Sequence, residues 1–135
     1  MTLRWSTHNR RVPARLRLAD PVLVAGAAER FAAGAADDAD LRLLVKHLLA
    51  LLVERAPGGA VEVRVPPYAA AQAVGGTTHK RGTPPAVVEV DPATWIELGL
   101  GQLAWADAER SGRLRASGER SDLSPLLPLL PVLPG

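Results

Sequence analysis

A repeat of apolar positions at helical spacing dominates the middle of the chain. The positions that recur every three or four residues are Leu41, Leu44, Val45, Leu48, Leu51 and Leu52. Three further apolar residues, Leu43, Leu49 and Val53, widen this face, so the pattern predicts a helix over residues 41–55 that is buried on most of its circumference. Aspartates at 37, 38 and 40 suit its first turn, and Pro57 with two glycines ends it.

Alternating apolar and polar residues follow this helix and predict strands. From Ala60 to Val65 the valines occupy one face, while a glutamate and an arginine occupy the other. The same reasoning predicts three more strands, over residues 68–74, 86–90 and 113–117. The second of these is rich in alanine, which carries little strand preference.

Two Asp-Pro pairs predict helix starts, because aspartate caps free N–H groups and proline suits the first helical position. Asp20-Pro21 begins a helix that runs to Ala33, and Asp91-Pro92 begins another. Glycines at 99 and 101 interrupt the latter, and a second short helix is expected to end at Gly112. The last apolar segment, residues 123–130, contains prolines and is expected to be a broken helix or an extended tail.

Length and composition limit the domain organisation. The chain has 135 residues, of which 47% are hydrophobic and only 4% aromatic, so one domain with a core of Ala, Leu and Val is expected. Such a core can pack tightly or leave an apolar cavity. We expect a basic lead-in or arm over residues 1–20 and a single domain over residues 21–135.

Charge is unevenly distributed. The net charge is +2, but five arginines and no carboxylate occur between Met1 and Ala19. Such an arm could contact anionic lipid or nucleic acid, or it could be a solvated terminus. The chain as a whole lacks the basic excess of nucleic-acid-binding domains, so a nucleic-acid partner is not expected. We expect a cytoplasmic protein, since cysteine, a signal-peptide pattern and an apolar run of about 18 residues are all missing.

Several positions in the last third of the chain resemble a known family pattern. They are Asp91, Trp95, Leu98, Gly101, Leu103, Ala108, Gly112, Leu114, Ser117 and Gly118. This order resembles the C-terminal half of the sterol-carrier-protein fold, and the segments VEVRVPPYAAAQAV and HKRGTPPAVVEVDPATW are similar to its small bacterial branch. The resemblance implies an α+β fold with a sheet of about five strands covered on one face by helices, and a lipid-like ligand.

The residues that we expect to bind such a ligand are mostly apolar. The candidates for the wall of an internal cavity are Leu44, Leu48, Leu52, Trp95, Leu98, Leu103 and Leu127. His79 and Arg81 could contact a polar head group, although a solvated basic loop explains them equally simply. In the family, the C-terminal segment packs beside the ligand tunnel, so the resemblance favours a pocket lid for the C-terminal leucines.

Catalytic and metal-binding patterns are missing from the sequence. The histidines at 8, 47 and 79 lack metal-ligand spacing, and there is no serine-hydrolase elbow. We therefore expect no enzyme activity, no cofactor and no metal. The predicted function is non-catalytic binding or carriage of a lipid-like apolar small molecule. The alternative is an accessory protein-interaction or dimerisation module without a bound ligand, for which a homodimer is one form.

Overall fold

A computed structural model of the chain describes residues 16–76 and 85–130. The helices are α1 (Pro21–Ala32), α2 (Asp38–Arg55), α3 (Pro92–Gly99) and α4 (Trp105–Arg110), and Ser124–Leu126 form one 3₁₀ turn. The strands are β1 (Val61–Val65), β2 (Ala69–Ala73), β3 (Ala86–Val90) and β4 (Leu114–Ser117). The predicted elements are therefore present, with bounds that differ from the expected ones by a few residues.

The four strands form one mixed sheet in the order β2-β1-β3-β4. Strand β1 pairs antiparallel with β2 and parallel with β3, and β3 pairs antiparallel with β4. The register places Val63 opposite both Ala71 and Val88, with all valines of β1 fully buried. The alternate positions Arg64, Glu89 and Arg115 are exposed. One face of the sheet therefore carries the core, as alternation predicts.

The expectation of about five strands is wrong, because the described part of the chain has four. The apolar segment after β4 adds no strand to the sheet in residues 16–76 and 85–130. Pro125 and Pro128 lie in this segment, and a proline has no N–H group to donate to a strand ladder. The segment instead forms the 3₁₀ turn and an extended stretch.

Helix α2 is the central helix, as its apolar repeat predicts. It begins with a capping box in which the Asp37 carboxylate accepts from the Asp40 N–H group at 2.9 Å and Asp40 accepts from the Asp37 N–H group at 3.2 Å. Asp40 also accepts two hydrogen bonds of 2.9 Å from Arg30 of α1, and this pairing lowers the pKa of Asp40 to about 2. The same carboxylate thus starts α2 and ties α1 to it.

The connection from β2 to β3 passes the beginning of β1 closely. Val74 donates to the carbonyl of Ala56 and accepts from the N–H group of Ala60. A Cβ atom at Gly58, where φ is +146°, would lie 2.3 Å from the Val74 carbonyl oxygen, so only glycine fits. The connection also contains His79 and Arg81, which lie outside the described residues.

Residues that precede α1 contact the domain. Leu16 and Ala19 pack against the core, and the Ala19 N–H group donates to Nδ1 of His47 at 2.9 Å. The first 15 residues, which contain most of the basic arm, lie outside the described residues. The division of the chain at residue 20 stays a prediction.

Candidate functional site

Helix α3 is fixed at its first turn by polar contacts. The Asp91 carboxylate accepts from the Thr94 N–H group at 3.1 Å and from its hydroxyl at 2.6 Å. The Thr94 hydroxyl in turn accepts from Arg113, whose guanidinium also donates to Glu97. Trp95 is fully buried, and its indole N–H group donates to the Val45 carbonyl of α2 at 3.4 Å. The start of α3 is thereby held on both its polar and its apolar side.

The end of α3 lies directly against α2. A Cβ atom at Gly99 would lie 2.7 Å from one methyl carbon of Leu48 and 2.9 Å from the other. The missing side chain therefore allows the two helices to approach each other closely. The Gly99 carbonyl is then available to the C-terminal residues, and it accepts from the N–H groups of Leu129 and Leu130 at 2.9 Å each.

Residues 124–130, called here the C-terminal strap, run past the ends of α2 and α3. The Arg55 guanidinium at the end of α2 donates to three strap carbonyls, those of Leu126 and Pro128 at 2.9 Å and that of Leu129 at 3.4 Å. Leu129 is buried and anchors the strap in the core. The strap is therefore held by one side chain and one backbone carbonyl, both distant in sequence.

A partly open groove of about 370 Å³ separates the strap from the connection between α3 and α4. Its lining residues are Leu98, Gly101, Gln102, Leu103, Ala104, Trp105, Ser124, Leu127 and Pro128. Leu98 and Trp105 are 1% and 6% exposed and form the floor. Leu103 and Leu127 are half-buried walls, while Gln102 and Ser124 are exposed at the rim. The arrangement suits a ligand with an apolar group against the floor and a polar group at the rim.

The groove brings together only part of the predicted set. Leu98, Leu103 and Leu127 line it. The other four apolar candidates are fully buried in the core and do not line this groove; they are Leu44, Leu48, Leu52 and Trp95. His79 and Arg81 lie outside the described residues, so their predicted role in binding a head group stays a prediction.

Sequence reasoning did not place Trp105, Gln102 or Ser124 at a site. Trp105 belongs both to the core and to the floor of the groove. No local sequence signal indicates the groove, because its two sides meet at Gly101 and Pro128, which are far apart in the sequence. A Cβ atom at Gly101, where φ is +80°, would lie 3.2 Å from Pro128, so this contact brings the two sides of the groove together.

The titratable side chains with perturbed pKa values do not line the groove. Burial lowers the pKa of His47, and the hydrogen bond to Asp38 raises the pKa of Tyr68. A second depression, of about 250 Å³, lies at the ends of β3 and β4 and contains Glu89, Asp91, Arg113 and Arg115. Its Arg113 is already engaged with Thr94 and Glu97. The apolar groove is therefore the better candidate for binding a small molecule.

Two kinds of feature are absent from the described residues. Across residues 16–76 and 85–130, no cluster of three or more His, Cys, Asp or Glu side chains could hold a metal ion. No helix in this part of the chain combines the length and the apolar character that crossing a bilayer requires.

The chain matches the model of a known protein family. The model of a family described as "Bacterial SCP ortholog" matches residues 37–129, which is more than half of the chain. The matched range runs from the N-cap of α2 to Leu129 in the strap, so it contains the sheet and the whole groove. No curated protein matches the chain significantly.

Proposed function

The chain belongs to the family described as bacterial SCP ortholog, and we propose that it binds a lipid-like apolar small molecule without catalysing a reaction on it. The observation that supports this proposal is the groove, where Leu98, Leu103, Trp105 and Leu127 line a space of about 370 Å³. The proposal thus moves the binding site from an internal cavity to a groove under the C-terminal strap.

Burial of apolar surface is the expected source of affinity. Removing apolar area from water contributes about 25 cal/mol per Å², so 200 Å² contributes roughly 5 kcal/mol before the costs of association. Leu98 and Trp105 are already shielded by the protein, so the floor requires little reorganisation. Leu103 and Leu127 are half-exposed and would lose water contact when a ligand is bound.

A charge placed in the groove tests the proposal. We expect Leu103→Asp to weaken binding of 1-decanol at least tenfold, because an apolar chain would then displace water from a carboxylate. Isothermal titration calorimetry measures the affinity, and thermal unfolding verifies that the variant folds. The matched control is Val22→Asp, since Val22 is 77% exposed on α1 and does not line the groove.

Two results would contradict this proposal. Wild-type protein that does not bind decanol, and that carries no co-purified lipid in native mass spectrometry, would reject a ligand-binding function. Equal loss of affinity in both aspartate variants would show that binding occurs outside the groove.

The second candidate function is the accessory interaction module, for which α1 supplies an observation. Val22 and Leu23 at the start of α1, and Leu18 just before it, are 77%, 56% and 47% exposed, and exposed apolar surface of this kind is typical of interaction sites. Light scattering over a range of protein concentrations tests whether a second copy of the chain covers these residues in a homodimer. A constant monomer mass, identical to that of a Val22→Ser/Leu23→Ser variant, would reject the homodimer.

A further inference from the structure

We propose that the groove selects ligands with an uncharged head group, such as an alcohol, an amide or an ester, and disfavours carboxylates and phosphates. This inference rests on the proposed function and names the ligand class for the same site. It follows from the charges around the groove, because a site that binds an acid requires cationic or N–H donor groups.

The lining of the groove contains no charged side chain among the described residues. The Gln102 amide and the Ser124 hydroxyl are exposed at the rim, and Trp105 on the floor adds an indole N–H group. An amide and a hydroxyl can each donate and accept hydrogen bonds, which matches an uncharged polar group. A buried or half-buried anion needs a cation or several N–H donors, since its transfer from water is otherwise unfavourable.

The two arginines that contact elements around the groove are already engaged. Arg55 donates to the strap carbonyls of Leu126, Pro128 and Leu129. Arg113 donates to the Thr94 hydroxyl and to the Glu97 carboxylate. Neither residue lines the groove, so a ligand carboxylate would have to break existing contacts to pair with them.

A carboxylate lies beside the rim. Asp122 accepts a hydrogen bond of 2.9 Å from the Ser124 N–H group, which places its negative charge next to one of the two polar rim residues. An anionic head group at Ser124 would be repelled by Asp122, whereas an uncharged hydroxyl or amide would not. The charge of Asp122 therefore opposes acids, and no cationic side chain in the groove lining offsets it.

The size of the groove sets the length of a suitable probe. At roughly 30 Å³ for each non-hydrogen atom, a volume of about 370 Å³ accommodates about twelve such atoms. Decanol, with ten carbons and one oxygen, fits this estimate. Decanoate has the same number of carbons and carries a carboxylate in place of the hydroxyl group, so the pair compares a charged with an uncharged head group at pH 8.

Titration calorimetry of wild-type protein with 1-decanol and with decanoate at pH 8 tests the inference. We expect decanol to bind at least tenfold more tightly. The Asp122→Asn variant keeps an acceptor for the Ser124 N–H group and removes the charge, so we expect the ratio between the two affinities to narrow about threefold or more. The control is Asp107→Asn, which removes an exposed carboxylate of α4 that does not line the groove.

The outcomes separate this inference from the proposed function. Decanoate that binds as tightly as decanol would overturn the selectivity while leaving the binding function intact. If Arg81→Gln abolished that decanoate binding, the head group would be assigned to the loop with His79 and Arg81. A ratio that does not change in Asp122→Asn would overturn the role of Asp122. Failure of both probes to bind would reject the proposed function itself.

Discussion

Single residues decide how closely the elements of this domain approach each other. Gly99 is the clearest example, because its missing side chain leaves the space that the methyl groups of Leu48 fill. Leu48 is fully buried, so it has no open direction into which it could move. His47, the residue directly before Leu48, connects the lead-in to α2, because its Nδ1 atom accepts a hydrogen bond from the Ala19 N–H group.

The Gly99→Ala substitution tests the close contact between α2 and α3. We expect it to lower the free energy of unfolding by about 1–3 kcal/mol, the usual cost of overpacking a filled core. Urea unfolding followed by circular dichroism measures the change. Gly76→Ala is the control, because among the described residues its Cβ atom would meet only Ala60, at 3.7 Å, and a change within about 0.5 kcal/mol is expected there. Equal stability of Gly99→Ala and wild type would contradict the close contact.

The hydrogen bond to His47 predicts a dependence of stability on pH. Its Nδ1 atom accepts from the Ala19 N–H group, which requires an unprotonated nitrogen, and burial lowers the pKa of this histidine. A group whose pKa is lower in the folded state stabilises the protein above its unfolded pKa of about 6.5, and this stabilisation is lost as the pH falls through the folded pKa.

Unfolding measurements between pH 8 and pH 5 test this prediction. We expect wild-type protein to lose stability below about pH 6.5, and we expect a smaller loss in His47→Gln, whose side chain does not titrate. Parallel pH profiles for the two proteins would show that His47 is not responsible.

At the scale of elements, side chains from one element end or tie down another. Arg30 of α1 pairs with the carboxylate that starts α2, and Arg55 at the end of α2 holds the strap. The strap is the element with the least internal support, since it has one short 3₁₀ turn and then extended backbone. Its position therefore depends on Arg55 and on the Gly99 carbonyl.

The Arg55→Gln substitution is expected to loosen the strap without unfolding the domain. A hydrogen bond to an exposed charged group contributes about 1 kcal/mol, so the N–H groups of Leu129 and Leu130 should exchange with solvent about fivefold faster. Native-state hydrogen exchange measures these two amides directly. The control Arg115→Gln alters an exposed arginine on the open sheet face, and it should leave both rates unchanged. Unchanged exchange in Arg55→Gln would show that the Gly99 contacts hold the strap alone.

Across the whole molecule, the leucines belong to two populations that the sequence does not distinguish. Leu44, Leu48 and Leu52 have no exposed surface, whereas Leu103 and Leu127 are half-buried at the groove. The first group packs between α2 and the rest of the core, and its main contribution is to stability. The second group has exposed apolar surface that a ligand would cover.

A pair of alanine substitutions separates these populations. We expect Leu48→Ala to lower the free energy of unfolding by about 2–5 kcal/mol, because the site is fully enclosed. Leu127→Ala should lower it by about 1 kcal/mol or less and should weaken binding of 1-decanol severalfold. Chemical unfolding and titration calorimetry on both variants provide the comparison. A larger loss of stability in Leu127→Ala than in Leu48→Ala would contradict the assignment.

Local patterns determined the elements of this protein. Helical spacing predicted α2, alternation predicted the four strands, and the Asp-Pro pairs predicted the starts of α1 and α3, because each depends on residues a few positions apart. The fifth strand was wrongly expected, since strand number depends on how distant segments pair. The resemblance of residues 91–118 to a family pattern was confirmed by the match to the bacterial SCP ortholog family.

Only the tertiary structure decided where the groove lies. Its sides come from residues 98–105 and 124–128, and Arg55 contacts carbonyls more than seventy positions away. The spacing of apolar residues in the sequence does not predict such contacts, because a leucine repeat is identical whether a side chain faces the core or a groove. The sequence therefore determined which residues are apolar and which elements they form, while packing determined which of them stay accessible to a ligand.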